Sequence, residues 1–507
     1  MKKLTILAIL VLLTTWGCRT DNDGIQTLTD IIVTPQEITI HSGASRQLIA
    51  QTFPVNNQGV EFSWLSENPD VASVSSAGVL NAKQAGSTHI VVRGANLEKK
   101  IPVTVNHHLV ISIGSAKYEI DTLGYEELGQ GIKWLKFSIP EFVNGLGTLG
   151  KGLVVNSLEV DLSNTDNKIE VWSAPPSGQI NRERPLAAFN RKKEEYDAQG
   201  RKPVAAINGD FYLLAADNNT GYSYINSRPL GLEVTNGMLI QTPFSRPNAL
   251  IVGDDGAPHY GEISFSGSVE AGDQNYTLKE VNGFAEAGEL TLFNNMANAY
   301  VTNSAFAWSP YTSTMVSLSQ PENGWRVNDR IEFTVQGIEH NIDGGRDFNN
   351  GEGAVLVGNE SFSSINSYTF LSNLSIGDKV GVVMNVNVGG SILTDKNINA
   401  IGYESVMLEN GTTTNTWNEA HPRTGIGFSR DGSKYYLVVI DGRQIDFSVG
   451  ATTGEVGDIL KSLGAFTGMN LDGGGSSSIT INGQVKNTPS DGSERAVANG
   501  IMITTKK

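Results

Sequence analysis

The chain has one cysteine, Cys18, among 507 residues, so no intramolecular disulfide framework holds it together. Positive charge is also scarce: 37 Lys and Arg stand against 53 Asp and Glu, for a formal charge of −16. A protein that tracks a nucleic-acid backbone needs a basic stripe to displace counterions, and none is present. A small phosphodiester remains accessible, because one or two local arginines suffice for it. The apolar run from Leu4 to Leu13 is too short to span a bilayer. The seven histidines form no His-Glu-x-x-His pattern, and no Gly-x-Ser-x-Gly elbow occurs. Zinc-protease and serine-hydrolase readings therefore fall away.

What the chain does have is glycine beside carboxylate and hydroxyl. In Asn470-Leu471-Asp472-Gly473-Gly474-Gly475-Ser476-Ser477-Ser478, one carboxylate is set against three glycines and three hydroxyls. Apolar residues before the run (Leu463, Ala465, Phe466, Met469) and the alternation Ile479, Thr480, Ile481 after it predict a tight turn entering a strand. Glycines let a ligand approach the backbone, and free N–H groups with Ser hydroxyls suit an anionic oxygen such as phosphate. A loop that merely turns the chain explains the run alone equally well.

Other clusters share this placement where a strand meets a loop. Pro203 to Ile207 reads as a buried strand opening onto Asn208-Gly209-Asp210-Phe211-Tyr212. His421-Pro422-Arg423-Thr424 precedes a strand, and Tyr435 to Ile440 ends in Asp441-Gly442-Arg443-Gln444. Ser493-Glu494-Arg495-Ala496 precedes the apolar strand Gly500 to Ile503. A strand scaffold gathers polar groups from distant sequence into one site in this way.

Together with the Asn236-Gly237 turn, these motifs resemble the phosphodiester glycosidase family over roughly 300 residues, within a domain expected from 107 to 507. Asp210 departs from the small or aromatic residue more usual after Asn-Gly in that family. The resemblance implies hydrolysis of a sugar-1-phosphodiester, with a phosphosugar or glycan as partner and no required cofactor. It makes Asp472 the first catalytic carboxylate, Glu494 the second and Asp441 a third candidate. Arg423 and Arg495, with Arg443, Thr424, Ser476, Ser477, Gly473 and Gly474, become phosphate or substrate contacts. Asn208, Asp210 and Asn470 become groups that meet sugar hydroxyls. Each has a plainer reading: Asp441 and Arg443 as turn residues, Arg495 paired with Glu494, His421 as positional. Asp343 and Asp347, in the Asn- and Gly-rich segment 341–352, suggest calcium without reproducing an EF-hand spacing. That segment and 220–228 are also candidates for an active-site rim. The alternative from another class is a surface glycan-binding or adhesion protein.

Lys2 and Lys3 before the apolar run give residues 1–18 the layout of a signal peptide, and Cys18 after Gly17 looks like a bacterial lipid-attachment cysteine. Residues 19–26 form a polar tether. The expected location is the cell envelope, anchored by lipid to an outer membrane and facing periplasm or surface. From 27 to 106, short Val-, Ile- and Thr-rich runs alternate with turn residues, predicting an all-β sandwich. Val33-Thr34-Pro35, Trp64, Ser66-Glu67-Asn68-Pro69, Val71 to Val74, Gly78 and Ala85-Gly86 make it similar to bacterial Ig-like domains of the second group, with Trp64 in the core. His107 and His108 read as a solvated link. The remainder reads as an α+β, sheet-rich domain, with helices at Pro185 to Ala198 and Glu455 to Leu463.

Overall fold

A computed structural model of the chain describes residues 27–55, 59–143, 150–175, 182–213, 227–283, 286–297, 312–342, 353–363 and 366–507. Cys18, the leader, the tether, residues 220–226 and the Asp343 and Asp347 positions lie outside them. The chain divides into two compact units, one ending at Asn106 and the other beginning at His107.

The first unit is all β. Leu97–Asn106 lies between Ile38–His41 and Gly86–Gly94, with Ser63–Ser66 outermost, and Asp30–Thr34 pairs with Ile49–Phe53. Alternation sends Ile101, Val103 and Val105 inward against Ile31, Val33, Leu80, Ile90 and Val92. Trp64 is half-buried and packs on this core, over Gly78.

The second unit is mostly strand, in sheets that share a core. Apolar residues from three of them meet in one cluster: Ile207, Ile479 and Ile501; Ile426, Val439 and Met469; and Leu250 and Ile401. The ends of these strands carry the residues of interest. Arg423–Phe428 runs antiparallel to both Lys434–Ile440 and Thr467–Asn470, with Arg423 opposite Ile440 and Gly425 opposite Asn470. The start of one strand thus lies beside the ends of two others, which places Arg423, Asp441 and the glycine turn at one edge. Arg201–Asn208 pairs with Asn499–Lys506, Asn208 opposite Gly500.

The helix Thr453–Leu463 starts with a capping box in which Thr452 and Glu455 satisfy each other's backbone N–H, and ends at Gly464, whose φ of +120° suits glycine. Pro185–Ala198 is helical as its pattern predicts. His107 is half-buried, edge-on to Tyr125 at 4.4 Å, so only His108 is exposed as expected for a solvated link. No group of three or more His, Cys, Asp or Glu among the described residues is placed to hold a metal ion.

Candidate functional site

Asn208 ties the site together. Its Nδ2 donates to the Asp472 carbonyl at 2.7 Å, while its Oδ1 accepts from Thr424 Oγ1 at 2.8 Å and from Ser478 N at 3.1 Å. One fully buried carboxamide thus joins three chain segments. Asn208 and Thr424, expected to meet substrate, hold the glycine turn in place instead. The Asp472 N–H completes the clasp by donating to the Gly209 carbonyl at 2.9 Å.

Asp472 is half-buried at the head of the turn. One carboxylate oxygen accepts from Gly473 N at 2.8 Å. Burial pushes its pKa up to about 6, against the opposing pull of Ser476, Gly473, Arg495 and Arg246. Each of the glycines that follow has an arginine against it, through its aliphatic stem at Gly473 and through its guanidinium at Gly474 and Gly475. A Cβ on Gly473 would lie 3.7 Å from Arg423 Cδ, and one on Gly474 would lie 3.1 Å from Arg443 Nη2. A Cβ on Gly475 would overlap Arg495 Nη2 and Asp491 Oδ2. Gly474 also has φ +62°, a left-handed conformation natural to glycine. The three glycines therefore let three arginines, distant in sequence, lie against one turn.

These arginines are held differently. Arg423 is buried; its Nε donates to the Ala451 carbonyl at 3.0 Å and its Nη2 to Glu419 O at 2.7 Å. Burial lowers its pKa, and Arg443 lowers it further. Arg495 is bound by Asp491 through Nε at 3.0 Å and Nη2 at 2.7 Å, so its ion-pair partner is not Glu494. Arg443 is exposed, with Nη2 at 3.5 Å from His421 Nδ1, and His421 Nε2 is 2.9 Å from Glu419.

Two of the three expected carboxylates have structural posts. Glu494 is buried and accepts from Ser478 Oγ at 2.6 Å and Thr480 Oγ1 at 3.4 Å, and from the backbone of Leu186 in the first turn of the Pro185–Ala198 helix. It joins that helix to the strand Ile479–Ile481. Asp441, also buried, accepts from Thr488 N at 2.9 Å, and burial raises it to about 6. It holds the 487–488 segment near Lys136. Asp210 is buried too: its oxygens accept from Phe211 N at 2.7 Å and Gly231 N at 2.8 Å, and burial raises it to about 7. A Cβ on Gly402 would overlap its Oδ2. No sugar hydroxyl reaches a carboxylate so enclosed.

Three residues at the site escaped the sequence reading. Glu404, half-buried, accepts from Asn470 Nδ2 at 3.4 Å and from Ser405 Oγ at 2.5 Å, and its charge acts on Arg423. Asn470 is thereby spent partly on Glu404. Arg246 stacks on Phe211, 4.2 Å from the ring centroid, and its charge acts on both Asp210 and Asp472. Trp417 is exposed, with the Arg423 guanidinium 5.1 Å from its ring centroid. The only signals were an acidic residue in a short gap between strands, an Arg-Pro pair before a strand, and a Trp in a polar loop. Ser476 and Ser477 are buried under the turn; Ser476 Oγ accepts from Arg495 Nη1 at 3.5 Å.

Residues 329–504 match the phosphodiester glycosidase family, and residues 27–105 match the bacterial Ig-like domain (group 2). The chain thus joins an Ig-like domain of that group to a phosphodiester glycosidase domain. Among curated relatives it is 38% identical over 92 residues to the SPbeta prophage-derived uncharacterized protein YomE of Bacillus subtilis (strain 168), covering 18% of this chain and 14% of that protein. Its fold is shared with a hypothetical protein from Synechocystis, at TM-score 0.52 and 16% identity over 88% of this chain and 81% of the other. A putative exported protein from Burkholderia pseudomallei K96243 is similar at TM-score 0.51 and 16% identity, over 88% and 97%.

Proposed function

We propose that the protein hydrolyses the glycosidic bond of a sugar-1-phosphodiester, releasing free sugar and leaving the phosphate on its alcohol. The observation that supports this most is the arginine packed on each glycine of the turn headed by Asp472. In a chain of charge −16, three arginines on the turn, with Arg495 and Arg246 acting on its half-buried carboxylate, select an anionic substrate and reject a neutral glycoside. Water adds to the anomeric carbon while its bond to the phosphate oxygen breaks, and that oxygen keeps the electron pair. Asp472, ionised above about pH 6, stabilises the oxocarbenium-like state and takes part as nucleophile or base. The arginines receive the charge developing on the departing phosphate, which lowers the demand for a strong acid. Glu404 is the second carboxylate of this reading.

The leader with Cys18, the Ig-like domain and the glycan chemistry support a lipid-anchored envelope protein that touches the membrane through its anchor alone. N-acetylglucosamine-1-phosphodiesters are the first substrates to try. Release of free sugar from a panel of sugar-1-phosphodiesters, lost in a folded Asp472→Asn variant, is the expected result. Phosphosugar binding without release by the wild type would favour a surface binding protein instead. The Arg423 hydrogen bonds to two backbone carbonyls would suit such a fixed anion holder.

A further inference from the structure

Tryptophan is highly buried on average, yet Trp417 is 38% exposed. It is not loosely attached. Its backbone N–H donates to Thr453 Oγ1 at 2.8 Å, and its carbonyl accepts from Thr453 N at 3.2 Å. Thr416 N donates to the same hydroxyl at 2.9 Å, and Asn415 Oδ1 accepts from Gly454 N at 3.0 Å. The segment is thus fastened to the first turn of the Thr453–Leu463 helix, and Arg423 fastens it again through Glu419 O. Trp417, Arg423 and Gly473 form an unbroken line from the rim to the turn headed by Asp472. Asn415, Thr416, Asn418 and Glu419, the chain neighbours of Trp417, are exposed with it.

An exposed indole on a fastened segment costs little ordering when a ligand binds. An apolar ring face flanked in the chain by amides, a hydroxyl and a carboxylate matches a pyranose ring, whose C–H face is apolar and whose hydroxyls radiate from its edge. We propose that Trp417 is the stacking platform of a sugar subsite on the Arg423 side of the site. It seats the ring of the alcohol that leaves with the phosphate, and it sets preference among such alcohols. The assignment of that ring rests on the phosphodiester glycosidase reading above; the platform does not. The competing account is that the indole only shields the Arg423 guanidinium from water.

The test is calorimetric titration of the full chain carrying Asp472→Asn, where turnover plays no part. The probes are a hexose 6-phosphate, glycerol 3-phosphate, inorganic phosphate and a neutral methyl hexopyranoside. The hexose phosphate is expected to bind about five- to tenfold more tightly than glycerol phosphate. Adding Trp417→Leu should erase that margin while leaving inorganic phosphate unchanged, and adding Trp417→Tyr should keep most of it. An unaltered margin in the Leu variant overturns the platform. Parallel weakening of inorganic phosphate and hexose phosphate also overturns it, in favour of the shielding account. If no phosphate compound binds but the methyl glycoside binds in a Trp417-dependent way, the phosphodiester reading fails and the platform stands. If nothing binds, both fail.

Discussion

Asp210 and Asp472 stand at matching places in two similar turns, one behind Asn208-Gly209 and the other behind Asn470-Leu471, yet their surroundings divide them. Both Asp210 oxygens are taken by backbone N–H groups and the side chain is enclosed by Gly231 and Gly402. Asp472 is only half-buried, has one such N–H and lies among arginines. The same residue type at the end of a strand thus serves as an internal tie in one turn and as a reactive candidate in the other. Adjacent residues do not decide between these roles; groups from other segments do, Gly231 and Gly402 at Asp210 and Arg495 and Arg246 at Asp472.

The largest expected effect separates the two directly. Asp472→Asn should lower turnover about a thousandfold while the melting temperature holds or rises, because a buried charge is removed. Asp210→Ala should do the reverse of that pattern: two buried N–H groups lose their acceptors, costing about 2 to 5 kcal/mol in denaturant unfolding. If Asp210→Ala keeps its stability and loses only activity, the contrast drawn between the turns is broken.

Gly475→Ala sharpens the comparison from the arginine side. The added methyl displaces the Arg495 and Asp491 pair, so the substrate KM should rise about tenfold at a stability cost of about 1 to 3 kcal/mol. An unchanged KM would remove Arg495 from the anion site.

Titration offers a smaller but more specific test. Burial raises both Asp210 and Glu233 to about 7. Because these pKa values are raised, the stability linked to the retained protons is complete below the ordinary carboxylate values near 4 and is lost as pH rises through about 7. The protein should therefore melt at a lower temperature at pH 8 than at pH 5. Glu233→Gln, which can still accept from Ser173, should recover stability at pH 8 and change little at pH 5. The smallest effect is expected from Thr452→Ala, which removes a helix cap for about 1 kcal/mol and leaves turnover alone.

Much of the fold was legible because its strands alternate or run apolar between turn residues. Tyr435 to Ile440 lies within the strand Lys434–Ile440, and Val380 to Val386 lies within Lys379–Val388. The Asn236-Gly237 turn, with φ of +46° and +80°, joins two short strands as such a pair favours. Candidate site residues were less legible. Glu494 and Asp441 sit in motifs beside strands just as Asp472 does, and only the partners they hold, Ser478 and Thr480 for one and Thr488 for the other, set them apart. Glu404 and Trp417 lie outside the motifs that draw attention, and each enters the site because pairing of distant strands or a capped helix brings it there.

The sequence alone determined the kinds of element, the Ig-like character of residues 27–105 and the glycine turn, since periodicity and backbone freedom are local properties. Tertiary structure decided which carboxylate keeps a reactive place and which arginines cover the turn. Burial and hydrogen-bond satisfaction set those roles, and both depend on partners that adjacency in the chain does not supply.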